Sequence, residues 1–109
     1  MNINFDFYEA IIEDIKIDNY GTIITLDIVS SPILEGRCVI ECRGVISFEM
    51  HNDINNEMME NIGNINWGFW EIADVKITMT HDRFETRVFW ENDTNIFITS
   101  NNINIRVID

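Results

Sequence analysis

The chain of 109 residues carries nineteen Asp and Glu against seven Lys and Arg, which gives a formal net charge of −12, and 46% of its residues are hydrophobic. This length corresponds to a single domain spanning residues 1–109, and the hydrophobic content excludes a chain that stays disordered. The negative charge argues against direct binding to nucleic acid or to an anionic membrane surface, because both would be repelled.

The apolar residues of positions 5–18 fit both helical spacing and strand alternation. We favour a short turn followed by a strand at about 11–18, because of the alternating positions Ile11, Glu13, Ile15 and Ile17. The following Asp18-Asn19-Tyr20-Gly21 has the composition of a tight turn and predicts a hairpin. Its second strand, at 22–29, would turn three apolar residues inward, namely Ile24, Leu26 and Ile28.

A long central strand is predicted at 37–50, where every second residue from Cys38 is apolar or small. Its predicted core face is Cys38, Ile40, Cys42, Gly44, Ile46, Phe48 and Met50. Gly44, in the middle, is expected to mark a bulge or a close backbone approach. Along such a strand Cys38 and Cys42 would lie about 13 Å apart. That separation is beyond the reach of a disulfide, so both are predicted to be small buried apolar residues.

Residues 51–68 form the longest predicted connection, rich in Asn and acid, with at most one short helix. Connections of this length within a compact domain are usually functional or mobile. It leads into a cluster of aromatic residues, which are common at binding hot spots but are also ordinary core residues. The candidate partner-binding residues are Asp53, Glu57, Glu60, Trp67, Phe69 and Trp70.

The last third of the sequence predicts a meander of short strands. Apolar residues alternate through 73–79 and 84–90, with His81-Asp82 as the intervening turn, and Ser100-Asn101-Asn102 separates strands at 96–98 and 103–107. The residues expected to face inward include Val75, Ile77, Met79, Ile96 and Ile98. Short strands at this spacing are typical of antiparallel sandwiches and barrels. The predicted fold is all-β, with about seven antiparallel strands in a sandwich or a partly open barrel.

One cluster has the residue types of acid–base catalysis. If the central strand continues, Glu49, His51 and Asp53 share a face, which would place a carboxylate beside an imidazole. Ser47 lies on that face too, but it is not in the G-x-S-x-G turn that activates a serine nucleophile. A solvated strand end explains the cluster better, so we predict no catalytic residues and no enzymatic activity.

The sequence contains no metal-binding motif in which the ligand residues have the required spacing. Neither cysteine has a partner at C-x-x-C spacing, and the two histidines are isolated. Asp53-Ile54-Asn55-Asn56-Glu57 is similar to the opening of a calcium loop, but Met58 stands where that loop requires glycine. No metal and no cofactor are predicted.

Four segments carry a resemblance to known proteins: the opening FYEAIIEDIKID, the central CRGVISFEM, the cluster WGFWEI and the closing FWENDTNIFITSNNINIRVID. Together they resemble small bacterial β-proteins, namely the YxiG-like proteins and the immunity proteins of polymorphic toxin systems. The resemblance implies a cytoplasmic single-domain β-fold without catalysis. In the immunity case it implies a protein that binds and neutralises a cognate toxin, often a basic nuclease.

The acidic excess has two interpretations, solubility or the attraction of a basic partner. Our leading hypothesis is a non-catalytic acidic binding protein, an immunity-type inhibitor of a basic toxin or nuclease. The alternatives are a phage-type acidic mimic of DNA that inhibits a defence protein, a small-ligand-binding β-barrel, and a structural subunit that adds an edge strand to a partner. The first residues are unlike a signal peptide and no apolar run is long enough to cross a bilayer, so the cytoplasm is the expected location.

Overall fold

The computed structural model describes residues 3–30, 36–50, 71–90 and 93–108. These residues form seven strands and one short 3₁₀ turn. The strands are β1 (Ala10–Asp18), β2 (Ile23–Val29), β3 (Arg37–Met50), β4 (Glu71–Ile72), β5 (Asp74–Thr80), β6 (Arg83–Trp90) and β7 (Asp93–Ile108), and the turn is Asn19–Gly21. The short helix predicted within 51–68 lies outside the described residues.

All seven strands belong to one antiparallel sheet with the order β4-β1-β2-β3-β7-β6-β5. The two ends of this order, β4 and β5, are consecutive in the chain and are separated only by Ala73. Since β4 pairs with β1 and β5 pairs with β6, the two ends of the sheet meet at Ala73. The all-β prediction of about seven strands is therefore confirmed, and a single open sheet of this kind corresponds to the partly open barrel rather than the sandwich.

The hairpin between β1 and β2 has the predicted position. Its turn places Asn19, Tyr20 and Gly21 at positive φ, and the Thr22 hydroxyl donates a hydrogen bond to the Asn19 carbonyl at 2.8 Å. Asparagine and glycine tolerate this left-handed conformation, which explains why the chain reverses here. The inward face of β2 is confirmed as well, with at most 1% exposure at Ile24, Leu26 and Ile28.

The prediction that Ile11 and Ile15 lie on the same face of β1 is wrong. Its pairing with β2 shifts between Ile12 and Asp14, so one extra residue is inserted into β1. Before the shift, Ala10 and Ile12 are fully buried, whereas after it Ile15 packs against the core. Ile11 is therefore not on the core face with Ile15.

A second shift in pairing occurs in β3, directly after Gly44. Gly44 has a φ of +64°, and the register with β7 slips between Val45 and Ser47. Val45 therefore packs against the core and Ile46 is 48% exposed, after which Phe48 and Met50 return to the core. The predicted bulge at Gly44 is confirmed, but the prediction of Ile46 on the core face is wrong because the bulge changes the alternation.

The closing strand is continuous where a break was predicted. Strand β7 runs through Ser100, Asn101 and Asn102 without interruption and pairs with β3 along one side. The Ser100 side chain points into the core at 0% exposure, and its hydroxyl donates a hydrogen bond to the Asn102 carbonyl at 3.1 Å. Pairing with the long strand β3 overrides the local turn preference of these residues.

The remaining core residues come from β5, β6 and the N-terminal segment 3–9. Val75, Ile77, Val88, Ile96 and Ile98 are buried as the alternation predicts, but Met79, also predicted to face inward, is 68% exposed at the end of β5. The His81-Asp82 turn is confirmed, since both residues have positive φ between β5 and β6. From the N-terminal segment, Phe7 is buried with Phe5 against it, their ring centroids 4.9 Å apart.

Candidate functional site

The six residues predicted to bind a partner, Asp53, Glu57, Glu60, Trp67, Phe69 and Trp70, lie outside the described residues, and so do His51 and the loop that holds them. Glu49, the first member of the acid–base cluster considered above, is exposed near the end of β3. The partner-binding role of residues 53–70 thus stays a prediction, and the candidate site must be built from the other parts of the chain.

The described acidic residues are unevenly distributed. Residues 3–18, comprising the N-terminal segment and β1, contain five acidic side chains and a single basic one, Lys16. The other described residues contain eight acidic and six basic side chains. Residues 3–18 therefore have a net charge of −4, whereas the other described residues, which are more numerous, have −2. The five acidic residues are Asp6, Glu9, Glu13, Asp14 and Asp18; we call them the acidic edge.

Strand β1, which carries three of these five acids, lies between β4 and β2 in the sheet. It pairs with β2 from Ile11 to Asp18 and with β4 at Ala10 and Ile11. Among the described residues, no strand pairs with the β4 side of β1 beyond Ile11.

One arginine, Arg37, forms ion pairs with acidic residues of both β1 and β2. Asp14 stands directly opposite Asp27, a like-charge pair that by itself destabilises the two strands. Arg37 of β3 compensates, donating hydrogen bonds to Asp27 at 2.6 Å and to Glu13 at 3.2 Å. The hydrogen bond and charge of Asp27 are the main causes that raise the pKa of Arg37. Arg37 thereby links three neighbouring strands.

The inner face of β1 is only partly covered. Ile15 and Ile17 stand opposite the fully buried Leu26 and the nearly buried Ile24, yet Ile17 itself is 56% exposed. The nearby tip of the hairpin adds Tyr20, which is fully exposed. Exposed apolar side chains next to charged ones are common where proteins bind partners. The end of β1 nearest the hairpin thus combines acidic side chains with exposed apolar surface.

The interior of the barrel offers little reactivity. Cys38 and Cys42 are free thiols at 0% exposure, which confirms the prediction that they are buried and unbridged. Burial raises the pKa of Cys38 to about 11, and it raises the pKa of Cys42 as well, against the opposing effect of hydrogen bonds with Thr86 and Ser100. Because the thiolate is the nucleophile and the metal ligand, both thiols are in their unreactive form at neutral pH.

A groove of about 370 Å³ lies between the N-terminal segment and β5. Ile3, Phe5 and Phe7 line one side, and Asp74 to Thr78 line the other. Asp74 also accepts a hydrogen bond from the Val75 backbone N–H at 2.8 Å, which occupies one donor of that strand. The groove is open to solvent and lies apart from the outer edge of β1.

Within residues 3–30, 36–50, 71–90 and 93–108, no group of three or more His, Cys, Asp and Glu side chains is arranged to hold a metal ion. In the same part of the chain, no helix has the length and apolar character needed to cross a membrane.

The acidic edge was not predicted from the sequence, because the predicted binding residues lie in the later loop instead. Its signal is visible in the sequence as five acids against one lysine in residues 3–18. What the sequence does not reveal is which strands lie beside β1, because its pairing with β4 depends on residues distant in the chain.

Comparison with protein-family models and with curated proteins finds no match. Among solved structures, the chain is similar to an uncharacterized protein from Neisseria gonorrhoeae, with a TM-score of 0.65 and 18% sequence identity over 92% of each chain. At this identity the similarity shows a shared fold. The fold and the site thus define an all-β protein with an acidic sheet edge.

Proposed function

We propose that this protein is a non-catalytic, cytoplasmic acidic binding protein, an immunity-type inhibitor of a basic toxin or nuclease. The observation that carries the proposal is the uneven charge of the described residues, because residues 3–18 hold five acidic side chains against one lysine while the other described residues hold eight against six. An electrostatic binding surface requires charge of one sign to be concentrated in this way. Complementary charge raises the association rate with a basic partner and disfavours acidic ones.

The described interior supports a binding role for the surface. Fifteen buried apolar residues form the core, and the inward hydroxyl of Thr86 lies 3.8 Å from the Cys42 sulfur. A core of apolar side chains packed against one another favours an inhibitor that acts through its surface over a barrel that holds a ligand at its centre.

The first experiment is capture from a lysate of the native host at about 50 mM and about 500 mM salt, a range over which the screening length falls severalfold. Each captured protein is identified and its isoelectric point is noted. We expect a basic protein that is retained at low salt and released at high salt. If the wild-type chain retains no basic protein at low salt, the proposal is wrong.

Two variants of equal net charge make the test specific. Asp14→Asn/Asp18→Asn removes two charges from the acidic edge, and Asp82→Asn/Glu85→Gln removes two from the β5–β6 hairpin, at the other end of the strand order. We expect capture to fall by about tenfold in the first variant and to change little in the second, since close charge pairs at interfaces couple strongly. Equal losses would indicate a nonspecific charge effect.

The inhibitory part of the proposal needs the purified captured protein. Its nuclease or toxin activity is measured with and without a stoichiometric amount of this chain. Inhibition by the wild-type chain and by Asp82→Asn/Glu85→Gln, with weaker inhibition by Asp14→Asn/Asp18→Asn, is the expected result. Binding without inhibition would contradict an immunity-type role. Competition by DNA at the same surface would favour the DNA-mimic alternative.

The groove beside β5 favours a second candidate function, small-ligand binding. Its volume of about 370 Å³ falls within the range of small-molecule sites, and it combines aromatic and charged side chains. A bulky substitution at an exposed lining residue, Thr78→Trp, would abolish ligand-induced thermal stabilisation in a small-molecule screen, whereas capture of a basic protein would persist.

A further inference from the structure

We infer that Tyr20, at the tip of the β1–β2 hairpin, anchors this protein in an apolar pocket of its basic partner. The inference rests on the proposed function and specifies what the partner's binding site must contain. Its first support is exposure, because Tyr20 has a relative exposure of 104% and the fold buries none of its ring. Tyrosine is enriched among the residues that dominate binding energy, since its ring is large, rigid and apolar and carries a polar hydroxyl.

The backbone at this position is unfavourable for tyrosine. Tyr20 has φ of 58° and ψ of 33°, in the left-handed region that disfavours residues with a bulky side chain. Asn19 and Gly21, on either side, also have positive φ, but both residue types tolerate that conformation. Tyr20 therefore strains the turn without gaining a buried contact from the fold. Backbone strain of this kind is concentrated at functional sites.

Hydrogen bonds hold the turn in one conformation. The Thr22 hydroxyl accepts a hydrogen bond from the Asn19 side-chain amide at 2.9 Å and donates one to the Asn19 carbonyl at 2.8 Å. The Thr22 carbonyl accepts a further hydrogen bond from the Val45 N–H of β3 at 2.9 Å, which ties the turn to the neighbouring strand. A side chain on a turn that is already ordered loses less conformational entropy when it binds.

Two exposed isoleucines extend the apolar surface around Tyr20. Ile17, three residues earlier in the chain, is 56% exposed. Ile46 follows Val45, the residue bonded to the turn, and is 48% exposed. We call Ile17, Tyr20 and Ile46 the apolar tip. Exposed apolar side chains beside charged ones are common at binding sites, and covering them removes apolar surface from water.

Charge indicates which partner the apolar tip fits. The exposed Asp18 directly precedes the turn, and residues 14–18 hold two acids against one lysine. Arg43 of β3, in the same cross-strand row as Asp18, forms an ion pair with Glu41. With a net charge of −12 for the whole chain, a pocket surrounded by Lys and Arg is attracted and a second copy of this chain is repelled. The occupant is therefore a basic protein with an apolar pocket.

The first test needs no partner and compares two exposed tyrosines. Tyr20→Asn removes the ring and introduces a residue that tolerates the left-handed region. We expect the midpoint of its urea unfolding to equal or exceed that of the wild type, because the fold makes no use of the ring. Tyr8→Asn is the matched control, since Tyr8 is 67% exposed beyond the other end of β1 and does not have positive φ. A midpoint for Tyr20→Asn below both the wild type and the control would show that the fold requires Tyr20 and would refute the inference.

The second test locates the contact by photo-crosslinking in the full-length protein. The photoreactive residue p-benzoylphenylalanine replaces Tyr20 in one variant and Tyr8 in another, and each is illuminated in a lysate of the native host at low salt. We expect a basic protein to be crosslinked at position 20 and not at position 8. An excess of the unmodified wild-type chain should suppress the crosslink, whereas an excess of Tyr20→Asn should not.

The crosslinked protein is then purified and titrated with each variant. We expect Tyr20→Asn to bind at least about tenfold more weakly than the wild type, as loss of an anchoring tyrosine does at other interfaces. Tyr20→Phe should bind within about threefold of the wild type, because it retains the ring that fills the pocket. Tyr8→Asn should bind as the wild type does.

Three outcomes of the binding tests would overturn the inference. They are the absence of a crosslink specific to position 20, a crosslink there to an acidic protein or to a second copy of this chain, and undiminished binding by Tyr20→Asn. A basic protein that the wild type and Tyr20→Asn capture equally well would refute the anchoring role and leave the proposed function standing. Failure of the wild type to capture any basic protein would refute the proposed function and the anchoring role with it.

Discussion

Replacing Gly44 with alanine tests the β-bulge in β3, which determines which side chains face inward where β3 pairs with β7. Gly44 has a φ of +64°, and a Cβ added there would lie 3.1 Å from both the Cβ and the Nδ2 of Asn101. A non-glycine residue in the left-handed region costs about 1–2 kcal/mol, and displacing a packed neighbour costs about 1–3 kcal/mol more. We therefore expect Gly44→Ala to lower the free energy of unfolding by about 2–5 kcal/mol, because it carries both costs.

Gly21 provides the matched control. It also has positive φ, +86°, but a Cβ there would meet nothing within 4 Å. Gly21→Ala should therefore show the conformational cost alone, about 1–2 kcal/mol. The reduced entropy of the unfolded chain, worth about 0.4–1 kcal/mol, offsets part of the loss equally in both variants.

The assay is equilibrium unfolding in urea, monitored by tryptophan fluorescence and by circular dichroism. For a small domain the slope is about 1–3 kcal/mol per molar urea, so a loss of about 3 kcal/mol moves the midpoint by about 1–3 M. The informative quantity is the difference between the two variants. If Gly44→Ala is no less stable than Gly21→Ala, the close approach of Asn101 does not limit this position and the account of the bulge is wrong.

Three further predictions concern the core. Ile40→Ala, at 0% exposure, should cost about 2–5 kcal/mol in urea unfolding, whereas Ile46→Ala, on the bulge, should cost less than about 1 kcal/mol; similar losses would contradict the shift in alternation. Cys38 and Cys42 should resist alkylation by iodoacetamide in the native protein and react fully in denaturant, because burial keeps both thiols protonated. Rapid native labelling would refute that burial. The free energy of unfolding should also fall at alkaline pH. The folded pKa of Cys38, about 11, exceeds the ordinary value of 9.0, so the stabilisation from the protonated thiol is complete below about pH 9 and is lost as the pH rises towards 11. The pH dependence of unfolding should therefore be weaker in Cys38→Ala by about 2–3 kcal/mol across that range; an unchanged dependence would exclude Cys38 as its cause.

Only part of the candidate site could be predicted from the sequence. The acidic residues of positions 3–18 can be counted in the sequence, yet the acidic residues predicted to bind a partner were Asp53, Glu57 and Glu60, which lie outside the described residues. Charge composition is local information, but whether a strand lies at an edge is not. That Arg37 bonds Asp27 and Glu13, and so leaves Asp14 as the less compensated acid, depends on strands brought together by folding.

The sequence by itself determined that this is an all-β protein and where its hairpins turn, because alternation and turn preference act between residues close in the chain. The turn at Asn19–Gly21, the turn at His81-Asp82 and the inward face of β2 follow from such local patterns. Only the tertiary structure decided which alternating residues are buried near each bulge, that β7 continues through Ser100, and that β1 lies between β4 and β2. These features depend on register with a partner strand, and a shift of one residue in that register changes which side chains face the core.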